Sequence, residues 1–261
     1  MKKLTVFLIL LFTFIITWWL GALPGNTMSS VPPDTKILHL SEKFLYAVKT
    51  EAVTDSLEAE LTSLKMNELI SGLSNDNARK TFWINIYNAY FQILAIREKK
   101  SRPKIFTKRL IRIAGHSFSL DDIEHGILRK YRWKYSMGYL SEFLPSKLIK
   151  KLAVSTIDYR IHFTLNCGAK SCPPIAFYEY ENIEQQLNIA TKTFLRSETE
   201  ADTLNKILHT SKILQWYKGD FGGKKGILSL LAKVLDQNLT GYEIRFKDYN
   251  WSAHLKNYDS F

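Results

Sequence analysis

The sequence predicts an α+β fold: one mixed globular domain with a helical first third, set behind an N-terminal apolar segment. Three observations carry that prediction. Apolar residues make up 46% of the chain and aromatics 13%, enough for one packed core without disulfide scaffolding. Helical periodicity fills the first third, whereas short alternating runs are interspersed later. The strand–helix–strand rhythm of a parallel sheet is missing.

The N-terminus reads Met1-Lys2-Lys3 and then runs uncharged from Leu4 to Leu20, with Trp18 and Trp19 near its end. Two lysines before an apolar run hold the N-terminus in the cytoplasm, and paired tryptophans suit a membrane–water interface. At 17 residues the run lies at the lower limit of a bilayer span. Gly21-Ala22-Leu23-Pro24 matches a small-x-small cleavage site poorly. Residues 1–24 therefore read as an uncleaved signal-anchor, with the domain outside the cytoplasm, periplasmic or extracellular. Secretion after cleavage is the alternative. A lipoprotein is excluded, because no cysteine lies near the segment. Residues 25–35 form a polar, proline-bearing linker, and residues 36–261 form the domain.

With Lys2 and Lys3 set aside, 34 of the 36 basic residues face 25 acidic ones, a net +9. That balance favours anionic neighbours. The basic pairs are scattered and no nucleic-acid motif accompanies them, so nucleic acid is not an expected partner. The expected partners are the membrane, through residues 4–20, and an anionic lipid or glycan.

Within the domain, Phe44, Leu45 and Val48 form one apolar stripe, and Leu57, Leu61, Leu64 and Leu69 form another. A third helix starts at Asp76 and runs to about Ile96. Its apolar residues cover most of the circumference, which places it at the centre of the core. Asn85 and Asn88 within it then need partners, and pinning a neighbouring loop is the structural way to supply them. Residues 110–120 alternate around Gly115 as a hairpin would. Ser119, with Asp122 three residues on, caps a helix running to about Tyr131. Residues 157–166 read as a strand by alternation, with Ile161, Phe163 and Leu165 on one face. Residues 181–195 and 226–235 read as helices, and 206–209 and 242–246 as short strands.

The chemistry centres on Cys167, at the end of that expected strand and followed by Gly168. A strand-to-loop edge exposes a side chain, and amides around Gly168 and Ser171 could converge on an oxyanion. A helical turn after Ala169 would lower the thiol pKa. His125, on a helix, can approach as base, with Asp220 or Asn85 orienting it. His162 is an odd number of residues from Cys167, so a regular strand would point the two to opposite faces. The bland readings stand beside these: His125 bonds a backbone carbonyl, and the asparagines are structural. Cys167 and Cys172 are the only cysteines, and in an oxidising compartment their default is a disulfide. Zinc would want four ligands, so neither a metal nor another cofactor is expected.

Three blocks resemble signatures of a known family: Phe82-Trp83-Ile84-Asn85-Ile86-Tyr87-Asn88-Ala89, Asp122-Ile123-Glu124-His125-Gly126-Ile127-Leu128-Arg129, and Leu165 to Pro173. Ile213 to Phe221 is similar to a later tryptophan–aspartate block, and Tyr249-Asn250-Trp251-Ser252 to a closing one with Asn250 for Asp. The family is the domain of unknown function 547 family, and the resemblance spans roughly residues 75–252. It implies that His125 and Cys167 recur in signature blocks, and that some relatives carry serine at Cys172. It implies no settled activity. Two functions stay open. One is a thiol hydrolase or acyltransferase using Cys167 and His125. The other is a non-catalytic, membrane-associated binding domain with a structural Cys167–Cys172 disulfide.

Overall fold

Asn75 starts the helix around which the domain is built. Its side chain accepts from the Ala78 N–H at 2.9 Å, closing the N-terminus of α4, Asp76–Gln92. A computed structural model describes residues 32–259, so the apolar run 4–20 and the anchor expected there lie outside the described residues. Among the described residues no helix is long and apolar enough to cross a membrane.

The first third is helical, as its periodicity predicts: α1 spans Thr35–Lys49, α2 Asp55–Ser63 and α3 Met66–Gly72. Helix α4 is apolar on all sides because it is covered on all sides. Phe82, Trp83, Ile84 and Ile86 are fully buried, and α1 packs along it through Phe44, whose ring lies 5.0 Å from that of Tyr90. After α5 (Lys104–Thr107) come β1 (Ile111–Ile113) and β2 (His116–Phe118), an antiparallel hairpin turning at Ala114-Gly115.

The expected box follows, with the Asp122 N–H donating to Ser119 Oγ at 3.0 Å and the Ser119 N–H to Asp122 Oδ2 at 2.9 Å. The segment it opens, Asp122–Leu128, is π-helical and not the regular helix that periodicity suggests. The wider turn lets the Arg129 N–H reach Glu124 O at 2.9 Å and gathers Glu124, His125 and Arg129 into one region.

The larger departure is at residues 157–166. In place of a strand, Asp158 caps a short 3₁₀ helix, Tyr159–Phe163. Its carboxylate accepts from the Arg160 N–H at 3.1 Å and is held by Lys80 at 2.9 Å and the Arg160 guanidinium at 2.6 Å. This local side-chain turn outcompetes the extended backbone that the alternation favoured. The alternation has a different use. Ile161 and Leu165 enter the core built on α1 and α4, while Phe163 enters a second core.

That second core is enclosed by the C-terminal elements α7 (Ile183–Glu198), β3 (Glu200–Asp202), β4 (Ile207–Thr210), α8 (Ile213–Trp216), α9 (Gly223–Leu235) and β5 (Glu243–Phe246). Between the π-helical segment and the 3₁₀ helix lies α6, Lys147–Leu152. The strand order is β3-β4-β5, with β3–β4 antiparallel and β4–β5 parallel across a crossover carrying α8 and α9. Helices with two small sheets make this an α+β fold. Strand β3 has no counterpart in the sequence reading, being three residues long and polar at both ends.

Asn85 and Asn88 pin loops, as their burial requires. Asn85 exchanges two hydrogen bonds with the Tyr178 backbone, at 2.7 and 3.1 Å. Asn88 donates to Thr164 O at 2.9 Å and accepts from the Asn166 N–H at 2.9 Å. Asn166 continues the relay, donating to Pro173 O at 2.7 Å and accepting from the Gly168 N–H at 2.9 Å. Replacing Asn88 with Leu strands two buried backbone groups. The expected loss is about 1–3 kcal/mol, read as a lower urea midpoint at unchanged slope.

Candidate functional site

Where the two cores meet, a cavity of about 430 Å³ opens, lined by residues from both. Its buried wall carries Tyr87, Glu124, His125, His162 and Tyr217, and its outer wall carries Arg102, Lys134, Trp216, Tyr249 and Trp251. Cys167 and Cys172 also line it.

Behind the buried wall lies an ion cluster. Arg129 is fully buried, and its Nε donates to Asp220 Oδ2 at 2.6 Å. The same oxygen meets His162 Nε2 at 2.9 Å. Arg129 Nη1 lies 2.7 Å from His125 Nδ1. The His162 ring stacks on Tyr217 with centroids 3.8 Å apart, and the Arg129 guanidinium lies 4.6 Å from the centre of that ring. Glu124 accepts from the Tyr217 hydroxyl at 2.6 Å and from Tyr87 at 3.3 Å.

These partners fix the tautomers. A guanidinium only donates, so His125 Nδ1 accepts and the ring proton sits on Nε2. A carboxylate only accepts, so His162 Nε2 carries the proton and Nδ1 holds the lone pair. Both rings line the cavity, and the nitrogen left over is a donor on His125 and an acceptor on His162. Burial pushes both histidines below the usual imidazole range, and the Arg129 charge adds to this. Burial alone would raise Glu124, but His125, the Tyr217 hydroxyl and Arg129 together outweigh it and hold the carboxyl low. Asp220 follows the same pattern, with hydrogen bonds from His162 and Arg129 outweighing its burial. Burial, then the Glu124 charge, raise Tyr87 and Tyr217 well above the usual phenol range, so both stay hydrogen-bond donors.

Cys167 is bonded to Cys172, with Cα atoms 6.0 Å apart. The Tyr249 hydroxyl lies 3.2 Å from each sulfur, and the Cys167 N–H points at Cys172 Sγ at 2.8 Å. No helix begins after Ala169. Residues 168–172 form a tight turn, so the helix-terminus environment expected for the thiol is not there. The amides around Gly168 are also occupied. The Gly168 N–H donates to Asn166, and those of Lys170, Ser171 and Cys172 go to Ser252, Asn250 and Ala169. Ser171 Oγ accepts from the Asn250 N–H at 3.0 Å. Gly168, at φ +70°, is required because a Cβ there would meet Phe91 and Leu255.

Of the residues the sequence singled out, Cys167, Cys172 and His125 line one cavity, whereas Asn85, Gly168, Ser171 and Asp220 do not. Asp220 is an orienter, but of His162. It reaches His125 only through Arg129. Glu124, 3.8 Å from His125 Nδ1, makes no hydrogen bond to that ring. The missed residue is His162. The strand reading turned it away from Cys167, while the 3₁₀ helix brings both to one cavity. Asp158, whose side chain favours a local turn, was the signal that could have found it. Among the described residues no three of His, Cys, Asp and Glu converge as metal ligands would.

Fold and site together define an α+β domain with a buried ion cluster behind a disulfide-walled cavity. Residues 70–195 match the family model described as "Protein of unknown function, DUF547", and this segment is a domain of that family. The matched stretch holds His125, Arg129, His162 and the disulfide, while Tyr217, Asp220, Tyr249 and Trp251 lie beyond it. No curated protein and no solved structure matches the chain.

The lowered histidines have a consequence for stability. A group whose pKa is depressed on folding contributes stability above its unfolded pKa and loses it as pH falls toward the folded value. Unfolded imidazoles take up protons near pH 6.5, while burial shifts proton uptake by His125 and His162 in the fold to lower pH. The unfolding free energy should therefore fall as pH drops below about 6.5, by at most about 1.4 kcal/mol per pH unit for each imidazole, and the urea midpoint should fall with it. His125→Asn and His162→Gln should each flatten that slope.

Proposed function

We propose that the domain works outside the cytoplasm as a binding domain for a small amphiphile bearing an acidic group, with the Cys167–Cys172 bond as a structural part of its cavity. The observation that carries this reading is the state of Arg102. Lys134 is paired with Asp121 at 2.7 Å, and Arg129 with Asp220. Arg102 donates only to the carbonyl oxygens of Cys167, at 2.6 Å, and Trp251, at 3.4 Å. Among the described residues it is the cation lining the cavity that has no carboxylate partner. Its guanidinium lies over the Trp251 ring, 4.6 Å from the centroid, and Trp216 and Tyr249 cluster against that ring. An acidic group on Arg102 with an apolar body along these aromatics satisfies both surfaces. The anionic Glu124 deeper in the cavity sets the orientation, with acid at the mouth and body inward.

The test uses two dyes of similar body. Anilinonaphthalene sulfonate carries a charge that phenylnaphthylamine lacks. The sulfonate should bind one-to-one and more tightly, and Arg102→Gln should bring it to the level of the neutral dye. The expected loss is about tenfold, as for one charge-assisted hydrogen bond. Equal binding of both dyes to the unaltered protein would refute the acid-recognition reading.

One observation favours a second reading. Cys167 lines the same cavity as two neutral imidazoles, so reduction of the disulfide would release a thiol there, as a hydrolase or acyltransferase needs. Iodoacetamide separates the two. A structural disulfide leaves the native protein unlabelled, and after reduction both cysteines react at ordinary rates. A thiol enzyme predicts fast labelling of Cys167 near neutral pH that His125→Ala or His162→Ala slows.

A further inference from the structure

We propose that residues 130–151 form a docking face for an anionic lipid bilayer. Seven of the fourteen large apolar side chains exposed in the described region fall between Trp133 and Leu144. Phe143 is 93% and Leu144 78% exposed, beside Trp133, Tyr135, Met137, Tyr139 and Leu140. A patch of this concentration on a single domain marks an interaction surface.

The segment is held in place by its own backbone. Trp133 and Leu140 are joined at 3.0 Å, the Glu142 N–H donates to Tyr131 O at 2.7 Å, and Ser136 Oγ donates to Trp133 O at 2.7 Å. The Gly219 N–H donates to Met137 O at 2.7 Å, fixing the loop tip to the body of the domain. The apolar side chains are thus presented outward by a bonded loop, and the exposure is built in.

Charge decides what covers it. Between residues 130 and 151 six lysines and arginines stand against one acid, Glu142. Lys147, Lys150 and Lys151 are exposed on α6, whose Ile149 and Leu152 face the core. Aromatic side chains beside a lysine cluster are the composition of a bilayer interface, where rings sit at headgroup level and cations meet anionic lipid. The chain also supplies proximity. Fourteen residues separate the apolar run ending at Leu20 from Thr35, a reach of at most ~50 Å. Lys134, between Trp133 and Tyr135, lines the cavity, so a docked face would set the cavity mouth beside lipid headgroups. The docking itself does not rest on the ligand reading.

Both cores lie within residues 37–239, so a chain starting at Pro33 carries its complete core and is free of the apolar run. Co-sedimentation with phosphatidylcholine vesicles, with and without phosphatidylglycerol, tests the face. Binding to the anionic vesicles at low salt is expected, with release at high salt. F143D/L144D and K150E/K151E should each weaken it by about tenfold. These side chains are exposed, so both variants should keep the native circular dichroism spectrum. Absence of binding to anionic vesicles, or binding that neither variant changes, overturns the proposal. A dimer that F143D/L144D dissolves overturns it too, by assigning the face to a second copy. Dye binding by the same variants shows whether the cavity reading stands when the docking face fails.

Discussion

A guanidinium with no exposed surface sets the terms for the rest of this domain. Arg129 cannot lose its proton, so burial obliges the chain to bring it acceptors. Asp220 and the Tyr217 ring arrive together from the turn after α8, and His125 from the π-helical segment that leads into Arg129 itself. The π-helical segment packs in the first core and the turn after α8 in the second, so satisfying one charge joins the two cores. Removing Asp220 would leave the charge uncompensated at a cost of about 3–5 kcal/mol. Arg129 Nη2 and Asp220 Oδ1 are buried without a partner among the described residues. Such a pair is weak support for stability and better support for specificity of arrangement.

That arrangement also fixes the chemistry of the wall. One partner only donates to His125 Nδ1 and the other only accepts from His162 Nε2, so both imidazoles carry their proton on Nε2. That leaves a donor nitrogen on His125 and an acceptor nitrogen on His162. Their depressed pKa values keep them neutral near physiological pH, so the cavity presents a donor and an acceptor with no added charge. The Glu124 carboxylate, satisfied by two tyrosine hydroxyls, adds the buried negative charge. The disulfide completes the wall and ties down a loop whose amides are already spent on Asn166, Ser252 and Asn250.

The helical first third, the central position of α4 and the capping box at Ser119 were legible because local periodicity and cap chemistry decided them. Asn85 and Asn88 were legible too, since a buried amide must find partners. The π-helical segment was not. Its register depends on where Glu124 and Arg129 must end, which is set by residues about ninety positions away. The segment 157–166 misled because its alternation is real but serves two cores instead of two faces of a sheet. Cys167 and His125 stood out because each falls in a block that resembles the family's, and both line the cavity with Cys172. His162 was lost with the strand, and Arg102 offered no pattern, because its meaning lies in having no carboxylate beside it.

The exposed lip and the buried cluster share a backbone. Gly138, at φ +87°, packs so closely on Asp220 that a Cβ there would collide with its carboxylate. One residue earlier, Met137 O takes the Gly219 N–H. The stretch that presents Trp133, Tyr139 and Phe143 to solvent is therefore seated on the residue that compensates Arg129 and orients His162. A flexible appendage would leave the cluster indifferent to what the lip touches. A glycine-tight contact does not, because interiors packed at this density transmit displacement instead of absorbing it. Lys134 adds a second link, from the lip to Asp121 on the cavity wall. The segment 133–144 is thus joined by direct contacts to Asp220 and, through Lys134 and Asp121, to the cavity wall.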